Sequence, residues 1–329
     1  MTQFALRRLA AALPTLIGIT LITFLILNLL PTDPLFSWSP GGPGLSAEAS
    51  ARLRSALGPE RGVLQRYADW LGALLRLDLG TSVHDGRPVV DVLRQALPWS
   101  LLLNLCAIVV IYALAIPLGL IGATAPGRLA DRAGGFVLLL LYAMPSFAAA
   151  LLLQQGLAVH WHLLPLQGVG DPPAGRVPWW RALDLLRHLI LPVTCQALAG
   201  WAFVSRYARA VFTSTLRDDF LATVRAKGAP ATRTAMHLLA NAAVPLVGLI
   251  GAILPGLVGG SVLIEQIFSW PGLGRLYVQG VETRDYPVVL ALTLLSALAV
   301  LAGQISVDLL YLVVDPRMRD TATAGPRRA

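Results

Sequence analysis

Charge is scarce in this chain: only 13% of its 329 residues are Asp, Glu, Lys or Arg, against about 25% in an ordinary soluble domain. Lysine is scarcer still, because Lys227 is the one lysine among 26 basic residues. It is followed by Gly228 and stands in no G-x-x-x-x-G-K-S/T loop, so the chain has no phosphate cradle of that kind and does not hydrolyse ATP by that route. H-E-x-x-H and G-x-S-x-G are also missing, which excludes those two hydrolase designs. Cysteine is limited to Cys106 and Cys195, both inside apolar runs and neither in a C-x-x-C pair. They read as small buried residues rather than a disulfide or metal site. His160 and His162 flank Trp161, but ligands two apart do not share a helix face and no third stands nearby. No metal site and no cofactor is expected.

Apolar sequence is what the chain has in excess. Hydrophobic residues make up 56% of it, gathered into runs near the roughly 20 residues that cross a hydrocarbon layer as a helix. The runs fall at 9–30, 99–124, 134–157, 239–264 and 288–314, with a weaker one at 188–212. The first is too long for a signal-peptide core and lacks a small-residue cleavage site, so it reads as a retained span. The expectation is an all-α, polytopic membrane protein with six transmembrane helices. Residues 1–30 hold the N-terminus and the first helix, 31–98 a segment outside the membrane, 99–314 the core of spans two to six, and 315–329 a tail.

Within 31–98, Ser39–Gly44 is a turn-rich linker. A short helix is expected from Ser46 to Gly58-Pro59. A second, from Glu60 to Leu77, carries Leu64, Tyr67, Leu71, Leu74 and Leu75 at helical spacing. Packing of this helix on the bundle is preferred to a place on the bilayer surface.

Arginine sets the orientation. Net charge is +8, but the basic residues lie between apolar runs, where they fix topology rather than bind nucleic acid. One side holds Arg7, Arg8, Arg128, Arg132, six basic residues in 206–237, and Arg317, Arg319, Arg327 and Arg328, fourteen in all. The other holds twelve, but seven lie in 31–98, a segment long enough to be exempt from the rule. Both termini are therefore expected on the cytoplasmic side.

Ionisable groups inside the runs are few. Asp308 is the one acid well within a run, and Arg206 or Arg209 would lie at similar depth. A structural ion pair and transport chemistry are both open readings of it. In span five, Gly248, Gly251, Gly256, Gly259 and Gly260 surround Pro255. Small residues let helices approach closely, and Gly and Pro also loosen a helix that lines a cavity. Gly251, Pro255, Gly259, Gly260 and the following Glu265 are thus candidates for a pathway or hinge.

The segment 213–237 has the most specific pattern. Phe220, Leu221, Val224 and Ala226 interrupt a charged stretch flanked by Arg217, Arg225 and Lys227. One short helix there presents an apolar face suited to a partner's groove. Gly228 ends or bends it, Pro230 stops continuation, and a second helix begins near Thr232.

Asp219-Phe220-Leu221-Ala222-Thr223-Val224-Arg225-Ala226-Lys227-Gly228, followed by His237, Asn241 and Pro245, resembles the coupling loop of ABC importer permeases of the dipeptide, oligopeptide and nickel family. Further stretches match that family in order: Leu77–Ser82, Arg87-Pro88-Val89, Leu97–Leu101, Met144–Phe147, Gly259–Phe268, Pro271–Gly274, Arg284–Val288, Val307–Tyr311 and Asp315-Pro316-Arg317. Val224, Ala240 and Phe220 depart from its usual residues.

The resemblance implies a type I ABC importer permease fold in a bacterial cytoplasmic (inner) membrane. It implies that the stretch from Asp219 to Gly228, including Leu221, Ala222, Val224, Arg225, Ala226 and Lys227, couples to an ATPase. The implied partners are a second permease of similar fold, two ATPase subunits that bind the ATP, an extracytoplasmic solute-binding protein, the lipid bilayer, and a peptide or small solute. The chain itself would be non-catalytic. Nickel or another small solute is the alternative cargo, and an ion-coupled carrier or a non-transporting scaffold are the alternative classes.

Overall fold

A computed structural model describes residues 2–29, 62–170 and 178–314. The helix expected after Ser46 and the tail from 315 lie outside the described residues. Ten α-helices are described: α1 (Thr2–Leu29), α2 (Val63–Leu75), α3 (Val89–Thr124), α4 (Leu129–Ala143), α5 (Ser146–Leu153), α6 (Pro178–Thr215), α7 (Asp219–Ala226), α8 (Ala231–Ile267), α9 (Leu273–Glu282) and α10 (Tyr286–Val314). The last turn of α5 widens into a π-type stretch over Gln154–His160. Among the described residues the nearest thing to a strand is one bridge, between Thr81 and Pro88.

Among the described residues, three helical stretches are long and apolar enough to cross a bilayer alone: Val89–Thr124, Thr232–Ile250 and Tyr286–Ser306. Two bent pairs raise the number to five if each is one crossing, and Leu13–Leu27 in α1 is a shorter apolar helix. The run expected as one span at 134–157 is broken into α4 and α5, bent by 101°. Pro145 is the cause. It has no N–H to donate, and its ring disfavours the helical region for the residue before it. Met144 is accordingly extended, at φ −77° and ψ 123°.

The core is organised along α3. Its buried positions Ser100, Leu103, Ala107, Ile111, Ala115 and Gly119 recur every three or four residues, which puts them on one stripe of a helix. That stripe faces α6, in the most extensive helix pair of the molecule. Small residues allow the approach. A Cβ at Gly119 would lie 2.7 Å from Ala208 Cβ and 2.9 Å from the Arg209 backbone nitrogen, and one at Gly200 would lie 2.6 Å from Ile111 Cδ1.

Three clusters follow this seam. Leu103 packs with Leu191, Cys195, Ile264, Phe268 and Trp270 at one end. Ala107, Ile111, Val204 and Leu249 fill the middle. Ala123, Ala208, Phe212, Leu221, Leu238, Ala242 and Leu246 fill the other end. Large apolar side chains such as Leu105, Val109, Phe136 and Leu152 remain exposed on the outside of the bundle, as lipid contact requires.

Helix α2 packs on the bundle. Tyr67 is buried, its hydroxyl lies 3.0 Å from Thr20 Oγ1, and its ring meets Phe24 edge-on at 5.5 Å. Leu64 and Leu75, expected on the same face, are exposed instead. Aromatic Tyr67 and Trp70 carry that contact.

Candidate functional site

The bundle has a polar loop at one end, a buried carboxylate towards the other, and a cavity beside that carboxylate. The loop begins where α6 ends. Asp218 N–H donates to Thr215 O (3.2 Å) and Leu221 N–H to Asp218 O (3.0 Å), so the chain turns at once into α7. Asp219 opens α7, where a carboxylate suits the positive helix end. At the other end Lys227 N–H reaches Thr223 O (3.1 Å) and Ala229 N–H reaches Val224 O (3.4 Å). Gly228 between them sits at φ +73°, in the left-handed region where a Cβ is costly. Pro230, extended at ψ 155°, then caps the start of α8.

Leu221 decides which way α7 faces. It is fully buried (0% exposed) among Phe212 of α6, Leu238, Ala242 and Leu246 of α8, and Ala123 of α3. Such burial is worth about 1.5–3 kcal/mol. The expected apolar docking face is therefore corrected: Leu221 points into its own bundle, and Phe220 and Val224 are half-buried. The surface left outward is Asp218, Asp219, Thr223, Ala226, Lys227 and Gly228. Without Leu221 the end of that core cluster would be open, so the chain's own need for cover takes the apolar side first. Ala222 and Arg225 lie within α7.

A second tie holds this end. Arg209 on α6 meets Asp131 on α4 through two bonds, Nη1 to Oδ1 at 2.8 Å and Nη2 to Oδ2 at 2.9 Å. Gly127 N–H adds a third, to Asp131 Oδ2 at 2.8 Å. Gly122 leaves the room, since a Cβ there would sit 3.1 Å from Arg209 Cδ. Arg209, one of the two arginines expected near Asp308, meets Asp131 here; Asp308 lies in α10.

Glu265, near the end of α8, is fully buried. Its Oε1 accepts from Ser100 Oγ (2.7 Å), and its Oε2 accepts from the N–H groups of Gly274 (2.7 Å) and Arg275 (3.2 Å). Ser100 Oγ in turn accepts from Leu273 N–H at 2.7 Å. The carboxylate caps α9 and links it to α3. These partners hold Glu265, one of the pathway or hinge candidates, in packed structure. Gly251, Pro255, Gly259 and Gly260 lie within the continuous helix α8.

Beside this clamp is a cavity of about 640 Å³ between α1, α3, α8, α9 and α10, lined in part by Ser100, Asn104, Tyr277, Ser296 and Gln304. None of the described residues lining it is charged. Asn104 is held by its own bond to Ser100 O at 2.9 Å.

The motifs at 77–82 and 284–288, some 200 positions apart, meet at the same end. Buried Asp285 accepts from Ser82 Oγ and from His84 N–H. Sequence reasoning quoted both stretches but missed this joint, and it missed the close approaches at Gly119, Gly122 and Gly200. A buried aspartate and a packing glycine look locally like loop residues, and only their partners tell them apart.

Residues 115–320 match the model of a family described as binding-protein-dependent transport system inner membrane component. Residues 1–104 match the companion N-terminal model for membrane components of such systems. The chain is 35% identical over 320 residues to the oligopeptide transport system permease protein AppB of Bacillus subtilis (strain 168), covering 97% of this chain and 99% of that one. It is 35% identical over 337 residues to the dipeptide transport system permease protein DppB of Escherichia coli (strain K12), with the same coverage. It is 32% identical over 320 residues to the glutathione transport system permease protein GsiC of Salmonella choleraesuis (strain SC-B67), covering 97% of this chain and 99% of the relative.

Proposed function

The chain belongs to the family of inner-membrane components of binding-protein-dependent transport systems, and on that premise we propose that it is one permease subunit of an ATP-driven importer whose cargo is a di- or oligopeptide. It works in a complex with a second permease of similar fold, two ATPase subunits and an extracytoplasmic binding protein. The ATPases hold and hydrolyse the ATP, and this chain is non-catalytic. Its termini and α7 lie on the cytoplasmic side, as the arginine distribution favours. Peptide as cargo is supported by the names of the relatives, which transport oligopeptides, dipeptides or glutathione.

One observation carries the mechanism. Helix α7 is joined without slack to α6 and α8, and Leu221 roots it in a core cluster shared by α3, α6 and α8. A push on its outward face, which carries Asp219, Thr223, Ala226, Lys227 and Gly228, cannot be absorbed by sliding α7 over the bundle. It tilts α6 and α8 instead. The Asp131–Arg209 bridge brings α4 along with α6. ATP binding would close the ATPase pair, shift α7, and switch the access of the path between the two permeases.

The test is co-purification of the tagged chain in gentle detergent, then reconstitution in liposomes with labelled dipeptide and the binding protein. Recovery of an ATPase and a second permease, with uptake that needs ATP, is expected. Flux through this chain alone, without ATP, would overturn the proposal.

A further inference from the structure

We propose that Glu265 is a positioning residue that latches α9 to α3 and thereby holds the outer wall of the cavity in place. The word "outer" rests on the orientation given under Proposed function; the latch itself rests on geometry.

Three donors converge on this one side chain: the Ser100 hydroxyl of α3 and the backbone N–H groups of Gly274 and Arg275 in α9. A side chain that receives these three donors on its two oxygens is an acceptor on both, which a carboxylate is and an amide is not. The first N–H groups of a helix have no partner within it. Here Leu273 N–H goes to Ser100, and the next two go to Glu265. The start of α9 is thus completed by one residue of α3 and one of α8, and it cannot separate from either without orphaning buried donors.

The surrounding turn leaves no room for a looser arrangement. A Cβ at Gly272 would collide with the carboxylate and with Ser100 Oγ, and one at Gly274 would lie 2.6 Å from Val262 Cα. Trp270, fully buried, donates from Nε1 to Trp99 O at 2.9 Å. Arg275 Nη1 donates to Ser269 O at 2.8 Å.

The cavity begins where the latch ends. Ser100 of α3, Val262 of α8, and Leu273, Gly274 and Tyr277 of α9 all contribute to its wall, so three of the elements that enclose it are held in register by Glu265. Opening that wall requires α3, the end of α8 and α9 to move as one block, or the latch to break. A carboxylate with a purely local stabilising role would have no need to join the walls of a cavity.

Glu265→Gln and Ser100→Ala, each in the full assembled complex, test this. The reporter is Ser296→Cys in the cavity wall, with Cys106 and Cys195 replaced, labelled by a membrane-impermeant maleimide from outside. Ser100→Ala leaves the carboxylate and its backbone bonds in place, so it decides the matter if Glu265→Gln does not assemble. Expected in both are unchanged amounts of complex, labelling faster by roughly tenfold or more, and a similar fall in solute imported per ATP hydrolysed, from the lost charge-assisted bond and, in Ser100→Ala, from the acceptor that Leu273 N–H also loses. A stability defect alone would lower uptake and ATPase activity together and leave their ratio intact. Wild-type labelling and an unchanged ratio in Ser100→Ala would overturn the latch. Labelling needs no solute, so a wild-type complex that imports no peptide would refute the cargo and leave the latch readable.

Discussion

Gly228→Val is the perturbation that most directly tests α7 as a lever. Gly228 has φ +73°, and a Cβ built there meets no heavy atom within 4 Å. Neighbours therefore do not oppose a side chain; the backbone does. An L-residue in this region costs about 1–2 kcal/mol, and a β-branched one up to about 3 kcal/mol. Since 1.4 kcal/mol is a factor of ten, valine would depopulate the native turn by roughly ten- to a hundredfold. The core anchor at Leu221 is untouched, so the bundle should assemble while α7 is set at a wrong angle to α8. The quantity to measure is solute imported per ATP hydrolysed in proteoliposomes, with the amount of complex fixed by immunoblot. Asparagine tolerates the left-handed region and should stay near the parent, alanine should fall between, and valine should be lowest. Parental coupling in Gly228→Val would refute the reasoning. A defect in Asn as large as in Val would show that bulk, not backbone conformation, is what the site rejects.

Leu221→Ala should destabilise the complex by about 2–5 kcal/mol through the cavity left between α3, α6 and α8, seen as a lower melting temperature and faster proteolysis in 216–230; Leu221→Met should cost less than about 1.5 kcal/mol. Asp131→Asn should cost about 1–2 kcal/mol by thermal melting, because Arg209 is 42% exposed and partly screened. Exchanging the pair, Asp131→Arg with Arg209→Asp, should recover only part of that, since Gly127 N–H then loses its acceptor. Gly119→Ala should cost about 1–3 kcal/mol, because its methyl would press on the α6 backbone at Arg209, and loss of the α3–α6 contact would appear as reduced complex in the membrane. Trp270→Phe should cost about 1 kcal/mol for the bond to Trp99 O, with the packing against Trp99 largely kept.

Much of this protein is determined by its sequence alone. Long apolar runs in water-free surroundings leave a helix as the one structure that satisfies every backbone group locally, so the all-helical class follows from composition and run length. Gly228 and Pro230 mark the end of α7 and the start of α8 because their restrictions act on their own φ and N–H. Pro145 is equally local, and the break at Met144 could have been read from it. The match to the permease family was legible too, because its motifs are short and keep their order.

Direction and partnership were decided only by the tertiary structure. The spacing of Phe220, Leu221 and Val224 defines an apolar face, but not whether a partner or the chain's own core receives it; Leu221 went inward because Phe212, Leu238 and Leu246 left a surface there to cover. Glu265 looked like a pathway residue beside glycines. Its hydrogen-bond partners are Ser100, 165 positions away, and a helix end whose donors needed an acceptor. Arg209 likewise meets Asp131, 78 positions away, across two helices. A sequence carries each residue's own preferences, whereas a hydrogen bond or a close approach belongs to two residues at once, and only the folded chain says which two.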